Sequence, residues 1–221
     1  YRRLFKWIWM PTVDAAPQNE EWIHQFADAD AVLTYSDWAK EVIDSQSGGD
    51  VNTVGSASPS ASSEFFMVSD KAEAKKALGF PADAKIIGSV MRNQRRKLFP
   101  VLFEAFSKYL KNTGDKKTYL HCHTSYPDGG WDFGELLHKY EISSRVFFTY
   151  VCNNKSCNNV EISKFNDVRK ACNKCSQFTS TQTNVNNGVD DDTLAKMYNA
   201  YDLYVQCANC EGFGLPQVEA A

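Results

Sequence analysis

Arg92, Arg95, Arg96 and Lys97 fall within RNQRRK, directly after the apolar run KIIGSVM. Four cations at the end of a strand, in a loop that runs into a helix amino terminus, suit a diphosphate: guanidinium forks match phosphate oxygens, and the helix end adds partial positive charge. The same residues could equally form a solvated basic loop, so charge alone does not decide the matter. A second stretch, CEGFGLPQVEAA, follows the run DLYVQC. Gly212 and Gly214 let backbone amides approach a ligand closely, and Pro216 fits the first turn of a helix that presents those amides. Glu211 before the turn and Glu219 about one helical turn into it can face a single ligand from two sides.

The cysteines suggest a different chemistry. Cys152 and Cys157 have four residues between them, Cys172 and Cys175 have two, and fourteen residues separate the pairs. That spacing suits one tetrahedral zinc held by four thiolates, in the manner of a ribbon or knuckle. Four thiolates leave no open position for a catalytic water, so the expected role is structural. The surrounding residues 152–183 are polar, with few apolar side chains, and have little other means of ordering themselves. His121 and His123 alternate around Cys122, so the two rings share one face of a strand end. They are read as strand-end lining, with His123 the nearer to a ligand. Cys207 and Cys210, beside the glycine turn, are read as cleft wall. Asp190, Asp191 and Asp192 precede a helical pattern and are read as its cap, not as metal ligands.

These groups need elements to hold them. The pattern predicts strands in the run Phe5 to Met10, in ADAVLTYS, KIIGSVM, KKTYLHCHT, RVFFTYV and DLYVQC. It predicts helices over Asn19 to Phe26 and in SDWAKEVIDSQ, DKAEAKKALGF, LFPVLFEAFSKYL, WDFGELLHKY and DTLAKMYNAY. Strands separated by helices imply right-handed crossovers and a parallel sheet covered on both faces, an α/β fold. Ligands of such sheets bind at the carboxyl edge, where every motif above falls. The small, polar stretch NTVGSASPSASSE, residues 52–64, reads as a connection. This gives residues 1–65 as one domain with its linker, 66–221 as a second, and 152–183 as an insertion in the second.

With these residues in view, EGFGLPQVEA resembles the E-x7-E signature of the family-4 retaining glycosyltransferases, also called group 1, with the GT-B fold. The strand followed by RNQRRK resembles their G-x-x-x-R-N-x-x-R-K loop, beginning here at Gly88, and YNAYDLYV resembles their approach to the signature. The likeness spans about residues 80–221. It implies a Rossmann-like donor domain, with residues 1–65 as the closing part of a Rossmann-like acceptor-side domain. It implies transfer of a sugar from a nucleoside-diphosphate sugar to an acceptor hydroxyl with retention of configuration. Arg92 and Lys97 would neutralise the diphosphate, with Arg96 beside them, and Glu219 would bind the ribose. Glu211 would contact sugar hydroxyls, and the amides around Gly212, Phe213, Gly214 and Leu215 would hold the sugar and its phosphate. No protein nucleophile and no catalytic metal are implied. Tyr35 and Ser36, on the thinner acceptor side of the likeness, are read as ordinary strand-end residues.

A formal net charge of −3 gives no general basic field for a nucleic-acid backbone. No run of eighteen apolar residues exists to span a membrane. The opening YRRLFKWIWMP reads as a strand leaving a sheet, with a basic interfacial anchor as the minor alternative. A chain that starts at Tyr1 and stops inside a helical pattern is expected to be a piece of a longer enzyme, inactive by itself. An odd count of seven cysteines suits a reducing cytoplasm, with peripheral membrane association as the alternative. The expected partners are a nucleotide sugar and a glycan, lipid or other hydroxyl acceptor. Two rival readings remain: a zinc-ribbon binding module on a catalytically inactive GT-B scaffold, and another GT-B sugar-nucleotide enzyme, an epimerase or a phosphorylase.

Overall fold

The computed structural model describes residues 4–81 and 83–221; the opening Tyr-Arg-Arg of the basic segment lies outside them. The chain divides into two compact units. One comprises the residues up to Ser60 together with Glu211–Leu215, the other Ala61–Cys210 with Pro216–Ala221.

The first unit is a three-stranded parallel sheet of β1 (Ile8–Trp9), β2 (Ala31–Thr34) and β3 (Thr53–Ser56), with helices α1 (Glu20–Ala27) and α2 (Asp37–Ser47) between the strands. Asn19 caps α1 by accepting from the Glu21 amide, and Ser36 caps α2 by accepting from the Ala39 amide. Gly48 then ends α2 at φ +60°, where a side chain would be strained. Val32, Ile43 and Phe26 are buried beneath the Trp7–Trp9 stack. Residues 53–56, read in the sequence as connecting chain, are strand β3. Their small side chains hide the strand signal, but backbone pairing to β2 supplies it.

In the second unit, α3 (Lys71–Ala77) leads to β4 (Lys85–Val90), α4 (Phe99–Thr113), β5 (Thr118–His123), α5 (Phe133–Lys139) and β6 (Val146–Cys152). Then come β7 (Val160–Lys164), β8 (Ser180–Gln182), α6 (Asp191–Ala200) and β9 (Leu203–Tyr204). A last short helix, α7 (Leu215–Glu219), crosses the division between units. The sheet order is β7-β6-β5-β4-β9, with β8 also on β6. Phe99, Leu102, Phe103 and Phe106 put one apolar face of α4 on the sheet, where Phe99 meets Phe133 at 4.8 Å between ring centroids.

Two expectations need correction. The sheet is parallel only across β6-β5-β4-β9, since the insertion adds β7 and β8 antiparallel to β6. The predicted strand DLYVQC pairs with β4 only at Leu203–Tyr204 and, after the Val205 amide bonds Gly88, changes partner. Its later backbone turns to the cationic loop instead: the Cys207 carbonyl accepts from Leu98 at 2.9 Å, and the Asn209 amide donates to Arg96 at 2.9 Å.

Candidate functional site

Parallel strands β4 and β5 run in register from Lys85↔Thr118 to Val90↔His123, so their carboxyl ends finish side by side. A cavity of about 260 Å³ opens there. Val90 at the end of β4 and Met91 and Arg92 just after it line it, with His123 at the end of β5 and Ser125 beyond, and Thr183, Asn184 and Pro216 close it. A larger apolar cavity of about 360 Å³ lies at the opposite, amino end of β4 and β9, walled by Ile86, Leu102 and Leu203.

The structure separates the four cations of RNQRRK. Arg92 reaches the cavity, and its guanidinium forks onto Asp128, Nε at 3.1 Å and Nη2 at 3.2 Å. Burial opposes ionisation of Asp128, but hydrogen bonds from Arg92, Ser125 and the Gly129 amide outweigh it and hold the carboxyl below its usual pKa. Arg95 lies over the Trp131 ring, 4.6 Å from its centroid, and Arg96 donates to the Cys210 carbonyl at 2.8 Å. Lys97 is buried, with its backbone bridged to Ala208 and its carbonyl accepting from the Trp131 indole at 2.8 Å.

Asn93 organises this corner. It is wholly buried, donates from Nδ2 to the Trp131 carbonyl and accepts the Trp131 amide on Oδ1, both at 2.8 Å. A side chain at Gly130 would sit 2.2 Å from that Oδ1, so the approach requires glycine. Asn93 stood in the sequence only as a member of the R-N-x-x-R-K loop, with no role given to it, and Asp128 did not stand out. The turn signal DGGW after a predicted strand was the available pointer to both.

The two histidines share a face, as alternation predicts, but only one meets the cavity. His121 is buried between the Tyr201 hydroxyl at 2.9 Å and the Thr149 hydroxyl at 3.0 Å. His123 is half-buried, lines the cavity and touches the same Thr149 hydroxyl at 3.0 Å. Burial lowers their pKa values to about 3 and about 4, so both are neutral imidazoles at neutral pH.

Around the glycine turn, Gly214 adopts φ +84°. Phe213 packs edge-on against Tyr35, centroids 6.2 Å apart, and Ser36 is engaged as the cap of α2. Glu219, in α7, accepts from the Tyr198 hydroxyl at 2.8 Å; burial and then the Glu219 charge push that phenol's pKa well up. Cys207 packs on the aromatic core and Cys210 is exposed. Asp190 caps α6 through the Thr193 amide at 2.8 Å, with Asp191 and Asp192 in its first turn.

Cys152, Cys157, Cys172 and Cys175 converge, with every pair of Sγ atoms within 4.8 Å. Cys152 and Cys175 are 3.7 Å apart, Cys157 and Cys172 3.8 Å. Metal–sulfur bonds of about 2.3 Å at a tetrahedral centre require edges of about 3.8 Å, so the four thiols have the dimensions of a tetrathiolate site. The Lys174 amide points at the Cys172 sulfur at 3.4 Å, and amide hydrogen bonds from Cys175 and Lys174 lower that thiol to about 7.

No protein-family model matches the chain, and no curated protein matches it. Among solved structures it is similar to the sucrose-phosphate synthase of Thermosynechococcus elongatus, at 20% identity and a TM-score of 0.60, over 98% of this chain and 48% of that one. It also aligns with trehalose-6-phosphate from E. coli bound with UDP-2-fluoro glucose, at 14% identity and a TM-score of 0.48, over 93% of this chain and 46% of that one. The chain thus spans about half the length of the structures it matches. The fold is α/β of the GT-B type, with a Rossmann-like sheet in each unit, parallel in the first and mainly parallel in the second, and a small cysteine-bearing insertion in the second.

Proposed function

We propose that the chain belongs to a retaining, nucleotide-sugar-dependent glycosyltransferase of group 1 and carries its donor-binding unit. The observation that supports this best is the cavity at the carboxyl ends of β4 and β5, with Arg92 and the neutral His123 on its wall. Its position at the carboxyl edge of a parallel sheet is where such folds bind nucleotides. Arg92 uses Nε and Nη2 on Asp128 and keeps Nη1 for a phosphate oxygen, while Asp128 fixes the direction of the fork. Charge accumulates on the departing diphosphate in the transition state, so a fixed guanidinium there lowers the barrier.

Lys97 would share that work and Glu219 would hold the ribose. Glu211 and the amides of Phe213, Gly214 and Leu215 would hold the sugar. No protein nucleophile is assigned, and the leaving phosphate would help deprotonate the acceptor hydroxyl on the same face. The cysteine cluster would hold a structural zinc, closed to catalysis by its four thiolates.

The intact enzyme, incubated with a panel of nucleotide sugars and scored for nucleoside diphosphate release and product anomer, tests the reading. Arg92→Ala should lower kcat/KM by about tenfold to a hundredfold, the worth of one charge-assisted hydrogen bond. Absence of diphosphate release with every donor, or an inverted product, would sink it.

A further inference from the structure

β6 pairs with β7 on one edge along Phe147–Val151, so its other edge carries β5 along Val146–Phe148 and then β8 along Tyr150–Cys152. β8 therefore begins where β5 has let go, and the chain beyond it runs beside the end of β5. The Tyr126 amide donates to the Thr183 carbonyl at 2.9 Å, and the Thr183 hydroxyl donates to the Thr124 carbonyl at 2.7 Å. Between this seam and the cysteine insertion lies a third cavity, of about 420 Å³, within the range of small-molecule sites at about 300–1,000 Å³. It meets the cavity described above at Asn184, which lines both.

Five carboxamides line it: Asn153, Asn166, Gln182, Asn184 and Asn187. Several are only partly used by the protein. The Gln182 side chain is 4% exposed and donates from Nε2 to the Asn166 carbonyl at 3.0 Å, yet its Oε1 has no hydrogen-bond partner among the described residues. Asn166 and Asn184 accept loop amides on Oδ1, from Val168 at 3.2 Å and Asn186 at 3.0 Å, which leaves each Nδ2 to donate elsewhere. Asn187 donates to the Asn153 Oδ1 and keeps its own Oδ1. Asp167 and Arg169 stand on the same wall, one carboxylate and one guanidinium, so the cavity has no net formal charge.

Donors and acceptors interleaved without net charge match hydroxyls, each of which gives and takes a hydrogen bond. A phosphate would meet Asp167 and the amide oxygens, and an apolar ligand would strand the amides at about 1–3 kcal/mol for each buried group. We propose that this cavity binds a neutral sugar unit, and, resting on the glycosyltransferase reading, that this sugar is the acceptor, presented to the donor cavity across Asn184. Acceptor recognition is then built partly by the insertion, whose cysteine cluster adjoins the site: Asn153 follows Cys152 directly.

The test uses the metal-loaded chain, labelled for side-chain amide NMR, with maltose, cellobiose, trehalose and lactose as neutral probes. Glucose 6-phosphate serves as the charged comparison, and UDP is followed separately at the His123 ring. At least one disaccharide should shift the amide signals of Asn184 and Asn187. Its Kd should rise at least about tenfold in Arg169→Ala and in Asn187→Ala, with melting temperature and UDP response kept. Arg169 is exposed, so its loss leaves the fold intact and the binding result interpretable. Silence of all four disaccharides, tighter binding of glucose 6-phosphate, or unchanged affinity in both variants overturns the proposal. Disaccharide binding without any UDP response would keep the sugar site and remove the donor reading, so the two failures are distinguishable.

Discussion

Gly88 shows how one missing side chain fixes the floor beneath the candidate site. A Cβ there would lie 2.1 Å from the Tyr201 ring, which is buried and hydrogen-bonded to His121. The ring cannot retreat without breaking that bond, so Gly88→Ala should destabilise by roughly 1–3 kcal/mol, as overpacking does. Denaturant unfolding would show the loss, and unchanged stability would mean that the ring moves freely. The sequence marked Gly88 as the start of a resemblance but could not show that Tyr201 is the reason, because the contact joins β4 to the end of α6 across more than a hundred residues. The histidine pair gives a pH prediction at the same scale. Their folded pKa values, about 3 and about 4, lie below the unfolded value near 6.5, so the unfolded chain takes up protons first as pH falls. Stability should be full above about pH 6.5 and fall by up to about 1.4 kcal/mol per pH unit for each histidine down toward pH 4. Thermal melts from pH 7 to 5 should show a shallower decline for His123→Asn than for the parent chain. Equal slopes would remove His123 from this account.

At the scale of elements, the cysteine insertion shows a structure that spacing foretold in one respect and concealed in another. The C-x4-C and C-x2-C pairs announced a tetrathiolate cluster, and the sulfurs do converge. That the same residues add β7 and β8 to the sheet was not legible. Ser180–Gln182 is short and polar, and Val160–Lys164 alternates over only five residues inside a polar stretch, so pairing with β6 decides their strand character. The same physics hid β3 and shortened β9, whereas the capped helices and β4, β5 and β6 follow their sequence patterns closely. The insertion has few apolar side chains of its own, so the proposed zinc should carry much of its order. Chelation, or Cys172→Ser, should release one zinc per chain, lower the melting temperature and speed amide exchange in residues 152–183, while β4 and α4 stay protected. Cobalt(II) should restore the order and give the spectrum of a tetrahedral tetrathiolate. Full protection after chelation would leave the cluster without a structural task.

For the whole molecule, the decisive quantity is the mismatch between overall and local charge. The chain is net −3, so a dianionic nucleotide approaches against a weak repulsion and is held only by groups it touches. Contact pairs on the wall of a cavity are screened less than separated surface charges, for which the Debye length is about 10 Å at 0.1 M salt. Of the four cations in RNQRRK, Arg92 lines that cavity, Arg95 stacks on Trp131, Arg96 donates to a carbonyl and Lys97 is buried, so at most a few cations meet the phosphates. Nucleotide binding by the intact protein should therefore weaken by less than about tenfold between 0.05 and 0.5 M salt. A protein neutralising many phosphates of a duplex loses about 10³–10⁵ over a narrower range. Arg92→Ala should cost about as much as the entire salt series, and duplex DNA or RNA at micromolar concentration should show no binding at 0.15 M salt. A steep salt slope, or duplex binding that competes with UDP, would mean that a wider basic surface does the holding and that the cavity beside Arg92 is not where the phosphates rest.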